Sequence, residues 1–117
     1  METVNKPWGY EKWLHQGKYV FKEIFMKAGC QSSLQYHKEK EENNYIVRGV
    51  VELTVDGETT RLTSGYSFHI NPGERHRVKA ITDILMVEAS TPEVDDVIRI
   101  RDDYDRPDGR IESEHKR

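Results

Sequence analysis

The chain has a single cysteine, Cys30, so no disulfide can form within it. No run of apolar residues approaches the roughly 20 that a membrane-spanning helix needs. The N-terminus carries no apolar stretch of signal-peptide length, which points to a soluble protein of the cytoplasm. Positive charge is not in excess either. A formal net charge of −3 argues against a protein that coats nucleic acid or anionic lipid, and leaves a small polar molecule as the expected partner. Apolar residues make up 35% of 117 positions, enough for the core of one domain and little more, so a homodimer is the expected means of covering further apolar area. Its contact is expected near Trp8 to Trp13, an aromatic N-terminal segment suited to covering a sheet edge or packing on a partner.

Helical periodicity is also nearly absent. What takes its place is a series of short strand signals separated by turns, at the spacing of an all-β barrel or sandwich. Tyr19 to Met26 is rich in aromatic and β-branched residues. Ser32 to His37 leads into a charged turn, Lys38 to Glu41, and Tyr45-Ile-Val returns from it. Val50 to Val55 alternates, with Val51, Leu53 and Val55 on one face. Asp56-Gly57 is a tight hairpin signal, and Thr59 to Leu62 is the partner strand. Ser67 to Ile70, His76 to Ala80 and Ile84 to Ala89 supply three more strands, and Val97 to Ile100 a last one. The pattern predicts a double-sheet jelly roll over residues 1–104. Residues 105–117 are almost wholly charged or polar, and a mobile tail is expected there.

One constellation carries chemistry. Gln35 and His37 are two residues apart, so on a strand both project from the same face. Glu42 opens the next apolar run after the charged turn, and His76 closes the segment Asn71-Pro-Gly73-Glu-Arg-His76. Two imidazoles, a carboxylate and an amide oxygen are all competent ligands for a divalent cation. Glu39 is an alternative to Gln35 if the strand continues past His37. His15, His69 and His115 have no companions at ligand spacing and are read as surface or packing residues.

The spacing resembles the two sequence signatures of the cupin superfamily. Gly29, Gln35, His37, Glu42 and Gly49 fall on the first, with Gln35 in place of its first histidine. Gly65, Asn71, Gly73 and His76 fall on the second, with Asn71 in place of its proline. Ser33-Leu34-Gln35-Tyr36-His37 is similar to the corresponding run of the mannose-6-phosphate isomerase branch, and so are the flanking segments Lys6-Pro7-Trp8-Gly9-Tyr10 and Asp95 to Tyr104. Glu39 stands where that branch often has a second histidine, and Asn43-Asn44 replace its usual His-Trp. The resemblance implies a single-domain double-stranded β-helix holding one divalent ion through Gln35, His37, Glu42 and His76. Zinc is the first expectation, with manganese, iron, cobalt or nickel as alternatives.

For activity, the resemblance implies interconversion of mannose 6-phosphate and fructose 6-phosphate through an enediol, a reaction suited to a Lewis-acidic ion. Glu88 is the first candidate for the catalytic base and Glu39 the second. A phosphosugar needs a cationic anchor; of Lys22, Arg48, Arg61, Arg77 and Arg99, the choice falls on Arg48, which shares the parity of Glu42, and on Lys22. The alternatives are a non-catalytic sugar-binding or regulatory cupin, or an isomerase, epimerase or dioxygenase acting on another small polar substrate.

Overall fold

A computed structural model of the chain describes residues 2–93, 96–101 and 109–110. Its strands are β1 (Glu2–Lys6), β2 (Gly9–Gln16), β3 (Val20–Met26), β4 (Leu34–His37), β5 (Glu42–Arg48), β6 (Val50–Val55), β7 (Glu58–Thr63), β8 (Ser67–Ile70), β9 (His76–Ala80), β10 (Ile84–Ser90), β11 (Val97–Arg101) and β12 (Gly109–Arg110). There is no helix among the described residues, and so none long and apolar enough to cross a membrane. The strands form two six-stranded sheets in the orders β1-β2-β3-β10-β5-β8 and β12-β11-β4-β9-β6-β7. All pairings are antiparallel. This is the all-β jelly roll that the strand spacing predicts.

The inward-facing residues change character along each strand. On β3 they run Lys22, Ile24, Met26; on β5, Glu42, Asn44, Ile46; on β9, His76, Val78, Ala80; on β10, read backwards, Glu88, Met86, Ile84, and all are buried. Antiparallel register stacks like on like. Met86 pairs with Ile24 and Ile46, whereas Glu88 pairs with Lys22 and Asn44. One half of the interior is therefore a dry core built from Ile46, Val51, Ile70, Ala80 and Ile84 with Trp8, Met26 and Met86. The other half is a polar cavity. The strand period of two puts both sets inside, and their position along the strand decides which end of the barrel each joins.

Two backbone features fix the strand ends. Asp56 and Gly57 both have positive φ, 48° and 86°, the twist that lets a two-residue turn join β6 to β7. Gly49 has φ 104°, and a Cβ there would collide with the carbonyl oxygen of Asp83, so β5 can turn into β6 against the 82–83 loop only with glycine.

Two expectations need comment. Trp8 and Trp13 themselves face inward: they are buried at 6% and 3% exposure, Trp8 in the turn between β1 and β2 and packed on the core, Trp13 beneath Lys22. The strand at that edge of the sheet is β1, with β8 at the other. The expected tail over 105–117 lies outside the described residues except for Gly109–Arg110, which pair with β11.

Ile46 is fully buried, whereas Tyr66 is 60% exposed. Ile46→Ala is expected to cost about 2–5 kcal/mol, with transfer and cavity terms adding. Tyr66→Ala should stay within about 0.5 kcal/mol. Urea unfolding of the two variants beside the parent checks the contrast.

Candidate functional site

The polar half of the barrel encloses a cavity of about 80 Å³, room for several waters or for the reacting end of a small polar molecule. Strands β4 and β9 bring His37 and His76 to its wall, since Gln35 pairs with His76 and His37 lies two residues further on the same face. Their ring centroids are 5.3 Å apart. β5 contributes Glu42. Ligand atoms of His37, Glu42 and His76 all lie within 4.8 Å of one another. Donors around one ion at about 2.0–2.2 Å sit roughly 3–4 Å apart, so small side-chain adjustments complete the set.

The surroundings of these side chains suit metal ligands. His76 Nδ1 lies 2.9 Å from the carbonyl oxygen of Glu74, and as its donor leaves Nε2 with a lone pair. His37 Nε2 lies 3.1 Å from Glu42 Oε1, and His37 Nδ1 is buried without a hydrogen-bond partner among the described residues. Asn44 Nδ2 donates to Glu42 Oε2 at 2.9 Å and fixes the carboxylate plane. Gln35 lines the same cavity, its Oε1 accepting a hydrogen bond of 2.6 Å from the Ser33 hydroxyl and keeping a second lone pair for another partner. A divalent ion therefore fits His37, Glu42 and His76, with Gln35 adjacent as a fourth donor.

Behind the ligands runs a buried chain of alternating charge. Lys40 Nζ is 3.5 Å from Glu42 Oε1 and 2.8 Å from Glu88 Oε2. Lys22 Nζ is 3.9 Å from Glu88 Oε2, 3.3 Å from Glu11 Oε1 and 4.0 Å from the centre of a Trp13 ring. Burial alone would raise the pKa of Glu42, but Lys40 and the two imidazoles outweigh it and hold the carboxyl well below its usual range. Burial would likewise discharge Lys40; the carboxylates of Glu88 and Glu42 reverse this and keep it charged. At Lys22 burial wins over Glu11, and its pKa falls below the usual lysine value. Burial also lowers His76, partly offset by Glu42 and the Glu74 carbonyl.

Of the sequence-selected residues, Gln35, His37, Glu42, His76, Glu88 and Lys22 line the cavity. Glu39 and Arg48 do not. Strand β4 ends at His37, and the loop beyond it is pinned by Asp96 Oδ2, which accepts the backbone N–H groups of Glu39 (2.8 Å) and Lys40 (2.9 Å), while Glu41 N–H donates to Thr91 Oγ1 at 2.9 Å. That pinning leaves Glu39 exposed and Lys40 buried, so the 38–41 segment is not the plain solvated turn its composition suggests. Arg48 shares the parity of Glu42 but is exposed. The β5–β10 ladder slips between Leu85 and Met86, pairing them with Arg48 and Ile46, and the extra residue, Val47, turns Arg48 outward. Sequence reading missed Lys40, Asn44 and Glu11 as cavity residues, and passed over Arg99, a candidate anchor that does line the cavity, in favour of Arg48. The signal for the first two was the parity of β5 run in both directions from Glu42, in place of the parity of β4 run forward to Glu39.

Residues 22–89 match the family of cupin domains. The chain belongs to the cupin family. It is 33% identical over 109 residues to alginate biosynthesis protein AlgA of Pseudomonas aeruginosa and, equally, to the mannose-1-phosphate guanylyltransferase of Escherichia coli. Each alignment takes in 88% of this cupin chain and 23% of the relative, so the chain spans less than a quarter of the length of these proteins. Among solved structures, KdgF from Halomonas sp. is similar with a TM-score of 0.73 at 20% identity, over 80% of this chain and 87% of that one. At that identity the likeness is one of fold.

The charge states give a signed pH dependence. His76 has a folded pKa below its unfolded value of about 6.5, so the stability it contributes is complete above that pH and is lost as pH falls below it. Glu42, also lowered, adds loss of the same sign from its unfolded value of about 4.3 downward. The urea midpoint is expected to fall progressively below about pH 6.5. The decline between pH 6.5 and 5.5 should be shallower in His76→Gln than in the parent.

Proposed function

We propose that this cupin is a metal-dependent sugar-phosphate isomerase that interconverts mannose 6-phosphate and fructose 6-phosphate, with zinc as the first candidate ion. The observation that carries the reading is the convergence of His37, Glu42 and His76 in one cavity with a further buried carboxylate, Glu88. The names of relatives such as mannose-1-phosphate guanylyltransferase support a sugar phosphate as the substrate class. A bound divalent ion would supply Lewis acidity toward the sugar oxygens. The remaining work falls to side chains. Glu88 moves the proton between the two adjacent carbons; both of its lysine contacts fall on Oε2, which leaves Oε1 for the transfer. Lys40 and Lys22 stabilise the negative charge that develops on the enediol. A cavity of about 80 Å³ suits the carbonyl end of the sugar, and half-buried Lys6, also in its lining, is a cation for the phosphate.

A second reading, a non-catalytic sugar-binding cupin, is favoured by one observation: Glu88 lies between two ammonium groups, which weakens it as a base. Turnover decides between the two. In a coupled assay with zinc, manganese or cobalt, the isomerase reading expects conversion of mannose 6-phosphate, a loss of about 10²–10⁴-fold in kcat in Glu88→Gln, and rates near the parent's in Glu39→Gln and Arg48→Gln. Sugar phosphate binding with no turnover above a His37→Ala control would establish the binding module instead.

A homodimer belongs to the same proposal. It is supported by the exposed side chains of Tyr45 and Val47 on β5 and of Tyr66 just before β8, which place apolar area on the outer face of one sheet. Sedimentation at micromolar concentration should give twice the chain mass; a monomer there would exclude it.

A further inference from the structure

Between buried His37 at the end of β4 and buried Glu42 at the start of β5 lies a strap of four charged residues, Lys38-Glu39-Lys40-Glu41. Three of them are exposed, and Lys40 alone turns inward, its ammonium 2.8 Å from Glu88 Oε2 and 3.5 Å from Glu42 Oε1. The strap has no apolar side chain with which to anchor itself. Polar contacts from outside hold it. Asp96 Oδ2 accepts the backbone N–H of Glu39 at 2.8 Å and of Lys40 at 2.9 Å. Burial would raise the pKa of Asp96, but these two donors and the N–H of Lys38 reverse that and hold the carboxyl below its usual range. One carboxylate thus gathers three successive N–H groups, a concave set of donors that favours an anion. Thr91 adds two bonds to the backbone of Glu41: its Oγ1 accepts the Glu41 N–H at 2.9 Å, and its own N–H donates to the Glu41 carbonyl at 3.0 Å. His69 Nε2 meets Glu41 Oε2 at 2.7 Å, but both side chains are nearly half exposed, so this pair holds little.

Lys22 is the comparison within the same cavity. It is also buried and shares the Glu88 oxygen, at 3.9 Å. Lys22 sits in the middle of β3, paired to Trp13 on β2 and to Glu88 on β10, and cannot leave unless the sheet comes apart. Lys40 needs to break only its own ion pairs and the contacts of the strap. Segments held by a few bonds that water can reach open locally, well below the free energy of global unfolding.

We propose that Asp96 is a positioning residue for Lys40: its carboxylate latches the 38–41 strap over the cavity, and release of the latch lets the strap open as a unit and carry Lys40 out. The inference stands on this geometry alone and needs neither the metal nor the isomerase reading. In the open state Glu42 Oε1 and Glu88 Oε2 lose the ammonium that stands nearest them, and the cavity gains an entrance beside Glu42.

The test reads lysine acetylation in the full chain. N-Hydroxysuccinimide acetate is added in mildly alkaline buffer and peptide mass spectrometry follows each lysine with time, exposed Lys18 and Lys38 serving as the fast reference. In the parent, Lys40 should react faster than Lys22. Its rate should change little with urea below the unfolding transition, whereas the Lys22 rate should rise steeply, because the urea slope scales with the surface that an opening exposes. In Asp96→Ala, Lys40 should react about tenfold faster or more, the scale of one lost hydrogen bond to a charged group, with Lys22 unchanged. Asp96→Asn keeps an acceptor oxygen in place and should give a smaller rise than Asp96→Ala. Equal rates and equal urea slopes for the two lysines in the parent would mean that Lys40 leaves only by global unfolding, and would overturn the proposal. So would a Lys40 rate in folded Asp96→Ala equal to the parent's, or a rise that Lys22 shares. The parent comparison needs no variant, so a folding defect in Asp96→Ala does not protect the proposal. Turnover and metal binding enter none of these readouts, so failure of the isomerase reading leaves the test intact.

Discussion

Charges inside a protein persist only where a counter-charge or a metal meets them, and the polar half of this barrel is organised by that requirement. Glu11, Lys22, Glu88, Lys40 and Glu42 form an unbroken series of opposite-sign contacts ending at the His37 imidazole. Removing any one member would leave a buried neighbour uncompensated, which is the expensive way to break such a network. The series also dictates structure around it. Asp96 and Thr91 bind the backbone of the 39–41 loop from which Lys40 reaches Glu88, and Asn44 holds the second oxygen of Glu42 while His37 and Lys40 meet the first.

The apolar half makes that network affordable in space as well as in energy. Ile24, Ile46 and Met86 form the row of residues immediately next to Lys22, Glu88 and Asn44 on the same three strands. A dry, close-packed floor keeps water away from one side of the charged row and lowers the local dielectric, which strengthens each pairing and raises the cost of an unpaired charge. The division is a consequence of register: a slip by one residue would turn the whole charged row to solvent and the outer row inward. Gly49 fixes the exit of β5 from that row, and the Asp56-Gly57 turn sets the register of β6 against β7 in the other sheet.

Three side chains able to hold a cation, set beside a buried ammonium, make a site with opposing demands. The same Glu42 oxygen serves His37 and Lys40, and the same Glu88 oxygen serves Lys40 and Lys22. Such sharing makes the electrostatics of the cavity depend on its total charge more than on any single residue, and Glu88, held by two lysines, is the carboxylate that feels it most.

Much of this was legible in the residues alone. Alternation of apolar and polar positions placed β3 and β6 to β10 within a residue or two, because a period of two follows from strand geometry and needs no tertiary information. The same parity put Gln35 with His37, and Glu88 with Ile84 and Met86, on shared faces, while Glu42 and His76 came from motif spacing. It failed at Glu39 and Arg48, where continuity of a strand was assumed. Whether a loop residue takes the parity of the strand before it or after it, and whether a ladder carries an extra residue at Val47, are decided by partners distant in sequence: Asp96 and Thr91 for the loop, Leu85 and Met86 for the bulge. Lys40 looked like one charge in a solvated run. The sequence determined which residues could face inward and which types could bind a cation; only the tertiary structure decided that Lys40 joins them, because burying a lysine depends on two carboxylates from other strands being there to meet it.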